Sequence, residues 1–304
     1  MPQKKITDLQ LISSVSNSEN FILDDGIQTY RATGSQLKTF CAGQELSVKT
    51  ANYTIIQTDS IIVCNGTGGI FTVSLPSVAS SIGKTFTIKK IDSSFNKITI
   101  ATDGSDTIGA SLTSMKLCTI NESITISPFG GRWYVINHNT ATPWIDFASV
   151  AAGTLITGDT VNPSYGTTTY NQAVWKREGD DMLIRWQYRQ TSNGTSGTGQ
   201  YGFNLESGHT IDTTKTKLGT IANGANHSPS LGYFQGGYDA SNDTYKGILT
   251  PQSTTRLKVW LTLTDDTTDV NDSTAWSSTF AAFSVSPIGF SIICRIPITD
   301  WQSL

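Results

Sequence analysis

The chain has 304 residues, of which 15% are charged and 37% hydrophobic, with a net charge of −3. Phosphate neutralisation needs clustered cations, and Lys4-Lys5 is the only basic cluster near the start. No run of ~18 apolar residues offers a spanning helix, and MPQKKITDLQ lacks the apolar core of a secretory signal,, so no nucleic acid, no membrane insertion and synthesis in a cytoplasm are expected.

Thr, Ser, Asn, Gly and Gln fill the deficit in charge and oil. That mixture suits thin β-sheets with one apolar face each and suits a large helical core badly. The length allows two or three domains of roughly 100–150 residues. Residues 1–46 carry short apolar anchors, Ile6, Leu9, Leu11, Phe21, Leu23, Tyr30 and Leu37, separated by polar turns. They are too sparse for an independent core, so this arm is expected to order only on a partner chain. Asp24-Asp25-Gly26 predicts a tight turn joining Phe21–Leu23 to Ile27–Tyr30. Ala32–Cys41 predicts a short helix capped by Thr33 or Ser35.

Residues 47–139 predict one β-sandwich of about eight strands: Tyr53–Ile56, Ser60–Val63, Ile70–Leu75, Thr85–Ile91, Lys97–Ile100, Met115–Ile120, Ser123–Ile126 and Arg132–Ile136. Period-two stripes run through them, with Phe86, Ile88 and Lys90 on one face, Ile98 with Ile100, and Ile124 with Ile126. Asn65-Gly66, Gly68-Gly69, Asp103-Gly104 and Gly130-Gly131 mark turns. Residues 140–143 form a linker ending in Pro143, which favours an extended entry.

Residues 144–304 predict a jelly-roll-like head. Ala173–Arg189 is a hairpin turning at Glu178–Asp181. Met182, Ile184, Trp186 and Tyr188 share one face, with Arg185, Gln187 and Arg189 opposite,. Leu257, Val259, Leu261 and Leu263 alternate likewise, as do Phe290, Ile292, Cys294 and Ile296. Thr191–Gln200 reads as a loop, and the last strand is expected deep in a sheet.

Few residues suggest chemistry. His138, His209 and His227 lie far apart, and Cys41, Cys64, Cys118 and Cys294 form no CxxC pair,. The cysteines are expected as buried thiols. The glycine-rich run Thr195–Gly199 has no helix to receive a phosphate. Asp180 and Asp181 fit a hairpin turn better than the carboxylate pair of a glycosidase. Asp265, Asp266 and Asp269 are a weak Ca²⁺ candidate without EF-hand spacing, and otherwise a solvated loop. No catalytic residue, no metal and no cofactor are therefore expected, and the chain is read as a non-enzyme. Tyr233, Tyr238, Tyr245 and Trp260 lie among Gly, Asn and Asp residues. Exposed rings beside amides suit sugars; the competing reading is core for the tyrosines and a subunit contact for Trp260.

Three blocks carry a resemblance. ITDLQLISSVSNSENFILDDGIQTYRATGSQLKTF resembles the N-terminal segment with which phage tail-fibre and other virion proteins attach to the particle. GGIFTVSLPSVASSIGKTFTIKKID resembles a small β module of such fibres. VWKREGDDMLIRWQYRQTSNGTSGTGQYGFNL, with FSIICRIPITDWQSL, resembles the C-terminal head of phage tail or head fibres. The resemblance implies a homotrimer held to other virion proteins, located in the virion, with a head that contacts a host-surface glycan. A purely structural collar, baseplate or capsid-decorating fibre is the alternative. One departure stands out: no coiled-coil heptads and no β-helical repeats are visible, so any shaft is short.

Overall fold

The computed structural model describes residues 20–24, 29–33, 46–216, 219–220, 226–227, 230–238, 243–263, 274–275, 283–284 and 286–302. The chain is all-β, as its composition and alternation predict. Strands β1 (Asn20–Asp24) and β2 (Thr29–Thr33) form the expected hairpin, with Phe21 opposite Ala32 and Leu23 opposite Tyr30. Ala32 and Thr33 end a strand rather than begin a helix. The rest of that proposed helix, the Asp25-Gly26 turn, and the anchors Ile6, Leu9, Leu11 and Leu37 lie outside the described residues.

The next nine strands are β3 (Leu46–Lys49), β4 (Tyr53–Thr54), β5 (Ile61–Cys64), β6 (Phe71–Ser74), β7 (Phe86–Lys90), β8 (Ile98–Ala101), β9 (Ser114–Leu117), β10 (Ser123–Phe129) and β11 (Arg132–Asn139). They form two sheets, ordered β11-β10-β7-β5-β3 and β4-β6-β8-β9. Successive strands from β3 to β8 alternate between the sheets, and β3-β5-β7 and β4-β6-β8 pair in parallel. The domain is thus a short coil of three turns, closed by antiparallel β9, β10 and β11. No repeat announced it, because four-residue strands joined by loops of unequal length leave no fixed period to detect.

Register stacks like on like inside the coil. Ile62, Ile88 and Ile124 stand side by side on one sheet, and Val73, Ile100 and Met115 on the other. All six are buried. Lys90, at the end of the apolar stripe of β7, is fully buried, with Nζ 2.5 Å from the Asp92 carboxylate. Burial opposes the Asp92 charge, but hydrogen bonds from Lys90, Ser94 and the Gly66 amide hold its pKa below the usual carboxylate value,.

The head comprises β12 (Ile145–Asp146), β13 (Ile156–Gly158), β14 (Thr168–Glu178), β15 (Asp181–Gln190), β16 (Tyr201–Asn204), β17 (Gly219–Thr220), β18 (Asn226–His227), β19 (Gly232–Tyr238), β20 (Asp243–Pro251), β21 (Arg256–Leu263), β22 (Thr274–Ala275) and β23 (Ile288–Pro297). Apart from the β17-β18 pair, these strands make one sheet in the order β12-β14-β15-β23-β19-β20-β21-β16-β13, with β22 beside β21. The last strand, β23, does lie in the middle. The sheet curls until its halves face each other: Trp186 on β15 and Phe203 on β16, five strands apart, have rings 5.7 Å apart. Tyr188 and Phe234 stack on Phe290 between them, at 4.9 and 5.3 Å. The predicted inward stripes of β15, β21 and β23 are all buried where described.

A charged joint connects coil and head. Glu122 Oε2 accepts from the amides of Cys118 (2.6 Å) and Thr119 (3.0 Å), while Oε1 lies 3.1 Å from His138 Nε2. Arg177 of the head places Nη1 2.5 Å from Oε1, an ion pair off the line of a good hydrogen bond. Both side chains are fully buried. Burial penalises the carboxylate, yet His138, Arg177 and the two amides outweigh it and lower the Glu122 pKa,. Beside this joint His209 packs against Phe95 of the coil and Trp175 and Trp301 of the head.

Candidate functional site

The antiparallel register of the head arranges its outward side chains in straight cross-strand rows. One row reads Val174, Arg185, Ile293, Tyr233, Ile248 and Trp260. At about 4.8 Å per strand it spans roughly 24 Å. The next reads Gln172, Gln187, Ser291, Gln235 and Lys246, and the third Tyr170, Arg189, Gly289 and Gly237.

A trough of about 650 Å³ opens over the second and third rows. Gly289 and Gly237 are register partners, so two adjacent outward positions lack side chains and the surface dips there,. Tyr170 and Arg189 stand at one side and Gln235 at the other, with Gln187 and Ser291 along the edge. A bulge between Thr168 and Tyr170 brings Tyr170 opposite Arg189,. The Tyr170 hydroxyl donates to Gln172 Oε1 at 2.7 Å, orienting both side chains.

The floor is rigid. Tyr188 and Phe290 lie beneath it in the aromatic stack, and the Tyr188 hydroxyl donates to buried Gln190 Oε1 at 2.5 Å. Gln190 Nε2 in turn donates to the Phe283 carbonyl at 2.7 Å. Burial pushes the Tyr188 phenol well above its usual pKa, so it stays neutral,. The trough therefore offers one exposed ring, several amides and hydroxyls, and a single guanidinium on a fixed base. Such a set can stack on a sugar and hydrogen-bond its hydroxyls; it offers no nucleophile paired with a base.

The sequence-selected aromatics divide. Tyr233 is 71% exposed, in the middle of the first outward row. Tyr245 is buried in the head core, a correction: its register row of Tyr188, Phe290 and Gly236 faces inward, so it cannot meet a ligand. Trp260 does face away from Leu257, Val259 and Leu261. Its indole N–H donates to Thr250 Oγ1 at 2.9 Å, and Lys258 Nζ sits 4.3 Å from the ring centre, so that face is partly occupied. Tyr238 pairs with Ile288 and Asp243 in the backbone, and its side chain lies outside the described residues. So do Asp265, Asp266 and Asp269.

No protein-family model matches the chain, and no curated protein matches it.

Both aspartates of the hairpin turn are paired. Asp180, in the predicted hairpin turn, pairs with Lys215 at 2.6 Å, and Asp181 with Arg295 at 2.7 Å. Cys64, Cys118 and Cys294 are buried and free, and Cys41 lies outside the described residues. Burial pushes the Cys64 and Cys118 thiols up to about 12, which makes both inert,. Among the described residues no group of three His, Cys, Asp or Glu could hold a metal ion, and no helix is long and apolar enough to cross a membrane. Sequence reasoning missed Tyr170, Gln187, Arg189, Gln235 and Gly289. The signal was present: Gly236-Gly237 and Gly289 interrupt otherwise strong strands, where glycine marks a gap or a close approach.

Proposed function

We propose that this chain is a bacteriophage virion fibre or spike protein, held to the particle through its N-terminal segment, trimeric through its coil, and presenting its head to a host-surface glycan. The trough floored by Gly289 and Gly237 carries the binding part of this reading, because it joins a ring, amides and a guanidinium on a preorganised sheet,. The resemblance of the three sequence blocks to phage fibres supports the rest.

The coil supports a trimer through its exterior. Ten of the sixteen exposed large hydrophobics among the described residues belong to residues 46–136. Ile70, Ile82 and Phe129 are each at least three-quarters exposed, and Phe129 and Tyr134 rings meet 6.1 Å apart on the outside. Apolar surface of this density favours covering by other copies. Three copies strengthen weak sugar contacts, since tethered sites gain roughly 10²–10⁴ in avidity.

Purified full-length protein should coat susceptible cells and block adsorption of the phage, and Gly289→Ser should weaken both. Adsorption unchanged at saturating protein would overturn the receptor role and leave a structural fibre. Deletion of residues 1–46 should leave trimers that no longer join particles; normal incorporation would refute the attachment role.

A further inference from the structure

We infer that the trough takes a saccharide bearing an anionic substituent, the anion seated on Arg189 and the sugar ring on Tyr170. This rests on the glycan-binding reading of the same site. It goes further, because a neutral sugar would need only the ring and the amides.

The charge pattern points to an anion. Among the described residues Arg189 is the sole charged one lining the trough. Arg185 and Lys246 stand in the neighbouring rows, and among the described side chains of these rows the one carboxylate is exposed Asp146, where the first row continues past Val174 onto β12, outside the trough lining. Acidic residues on these strands occur only at their ends. Glu178 and Asp181 are already paired with Lys176 and Arg295, and the side chain of Asp243 lies outside the described residues. The chain as a whole is negative, so this face opposes the overall sign. A locally positive surface of that kind raises the encounter rate of anionic ligands.

Arg189 is also placed to act. It is exposed and has no ion pair among the described residues. Its register neighbour Gly289 leaves open surface beside it, since a Cβ built there would stand 3.7 Å from Arg189 Cγ. A planar guanidinium with free space beside it can receive a carboxylate, phosphate or sulfate oxygen pair in a fork. Tyr170, directly opposite Arg189 on β14, lies within reach of the ring carrying that substituent.

The test is a printed array of bacterial surface polysaccharides, acid-substituted and neutral, probed with the full-length chain at low and physiological salt. Carboxylated, phosphorylated and sulfated members separate the possible sources of the anion. Retention should concentrate on acid-substituted glycans and fall as salt rises. Chemical reduction of a bound carboxylated glycan to its neutral alcohol should weaken binding at least 10-fold. Arg189→Gln should cause a similar loss with an unchanged melting temperature, and Arg189→Lys a smaller one. Gly289→Ser should weaken acidic and neutral ligands alike, because the added Cβ, 3.3 Å from the Tyr188 carbonyl oxygen, fits with little shift and fills the floor. Retention of neutral glycans in preference, or full binding by Arg189→Gln, would overturn the anion assignment and leave a binding head intact. Retention of no glycan, with cell coating preserved, would remove the glycan reading itself.

Discussion

Coil and head follow the same period-two rule yet expose opposite surfaces. The coil buries mainly aliphatic side chains in two facing sheets and leaves isoleucines and phenylalanine outside. The head buries a stack of rings under one curled sheet and leaves an outer face on which one largely apolar row, with Ile293, Tyr233 and Ile248 exposed, borders a dented surface of amides, glycines and cations. The difference teaches that inward stripes specify folding while the outward alternates specify use. An apolar exterior suits permanent partners, and a polar, dented one suits a transient ligand.

The largest expected effects lie in the two cores. Trp186→Ala should cost about 3–5 kcal/mol, because a fully buried indole holding Phe203 and Phe290 is lost,. Ile88→Ala should cost about 2–5 kcal/mol. Denaturant titration measures both, and equal, small losses would show that the stacks matter little. Glu122→Ala at the joint should cost about 3–5 kcal/mol by stranding the buried Arg177 charge. A neutral result would mean that coil and head are independent.

Acid should act through the joint. Burial lowers the His209 pKa to about 4, from an ordinary 6.5. The unfolded chain therefore binds the proton first, and stability present above pH 6.5 should fall as pH drops toward about 4, by at most about 3 kcal/mol. Glu122 adds a loss at lower pH, as its own lowered pKa is crossed,. Melting curves from pH 7.5 to about 2 check this, and His209→Phe should flatten the upper part.

Surface changes should be milder in stability and sharper in assembly. Ile136→Asp with Phe129→Ser should convert trimers to monomers in sedimentation, with a stability change within about 0.5 kcal/mol for the monomer. Tyr233→Ser on the head should leave the oligomer intact. The reverse outcome would exchange the roles assigned to the two exteriors. Smallest of all, Lys97→Met removes one half-exposed partner of Asp300 while Lys116 remains 2.7 Å away, for about 0–1 kcal/mol,.

The sequence by itself determined the all-β class, the long hairpin of β14 and β15, the inward stripes of β15, β21 and β23, and the central place of the last strand. Those depend on alternation and turn residues, which are local. Tertiary structure alone decided the winding of the coil, the burial of Tyr245, the Glu122–Arg177 joint, and the trough. Each of these brings together residues far apart in the chain. Tyr170, Arg189, Gly237 and Gly289 become neighbours only because β23 pairs between β15 and β19, and no local pattern encodes which strands will meet.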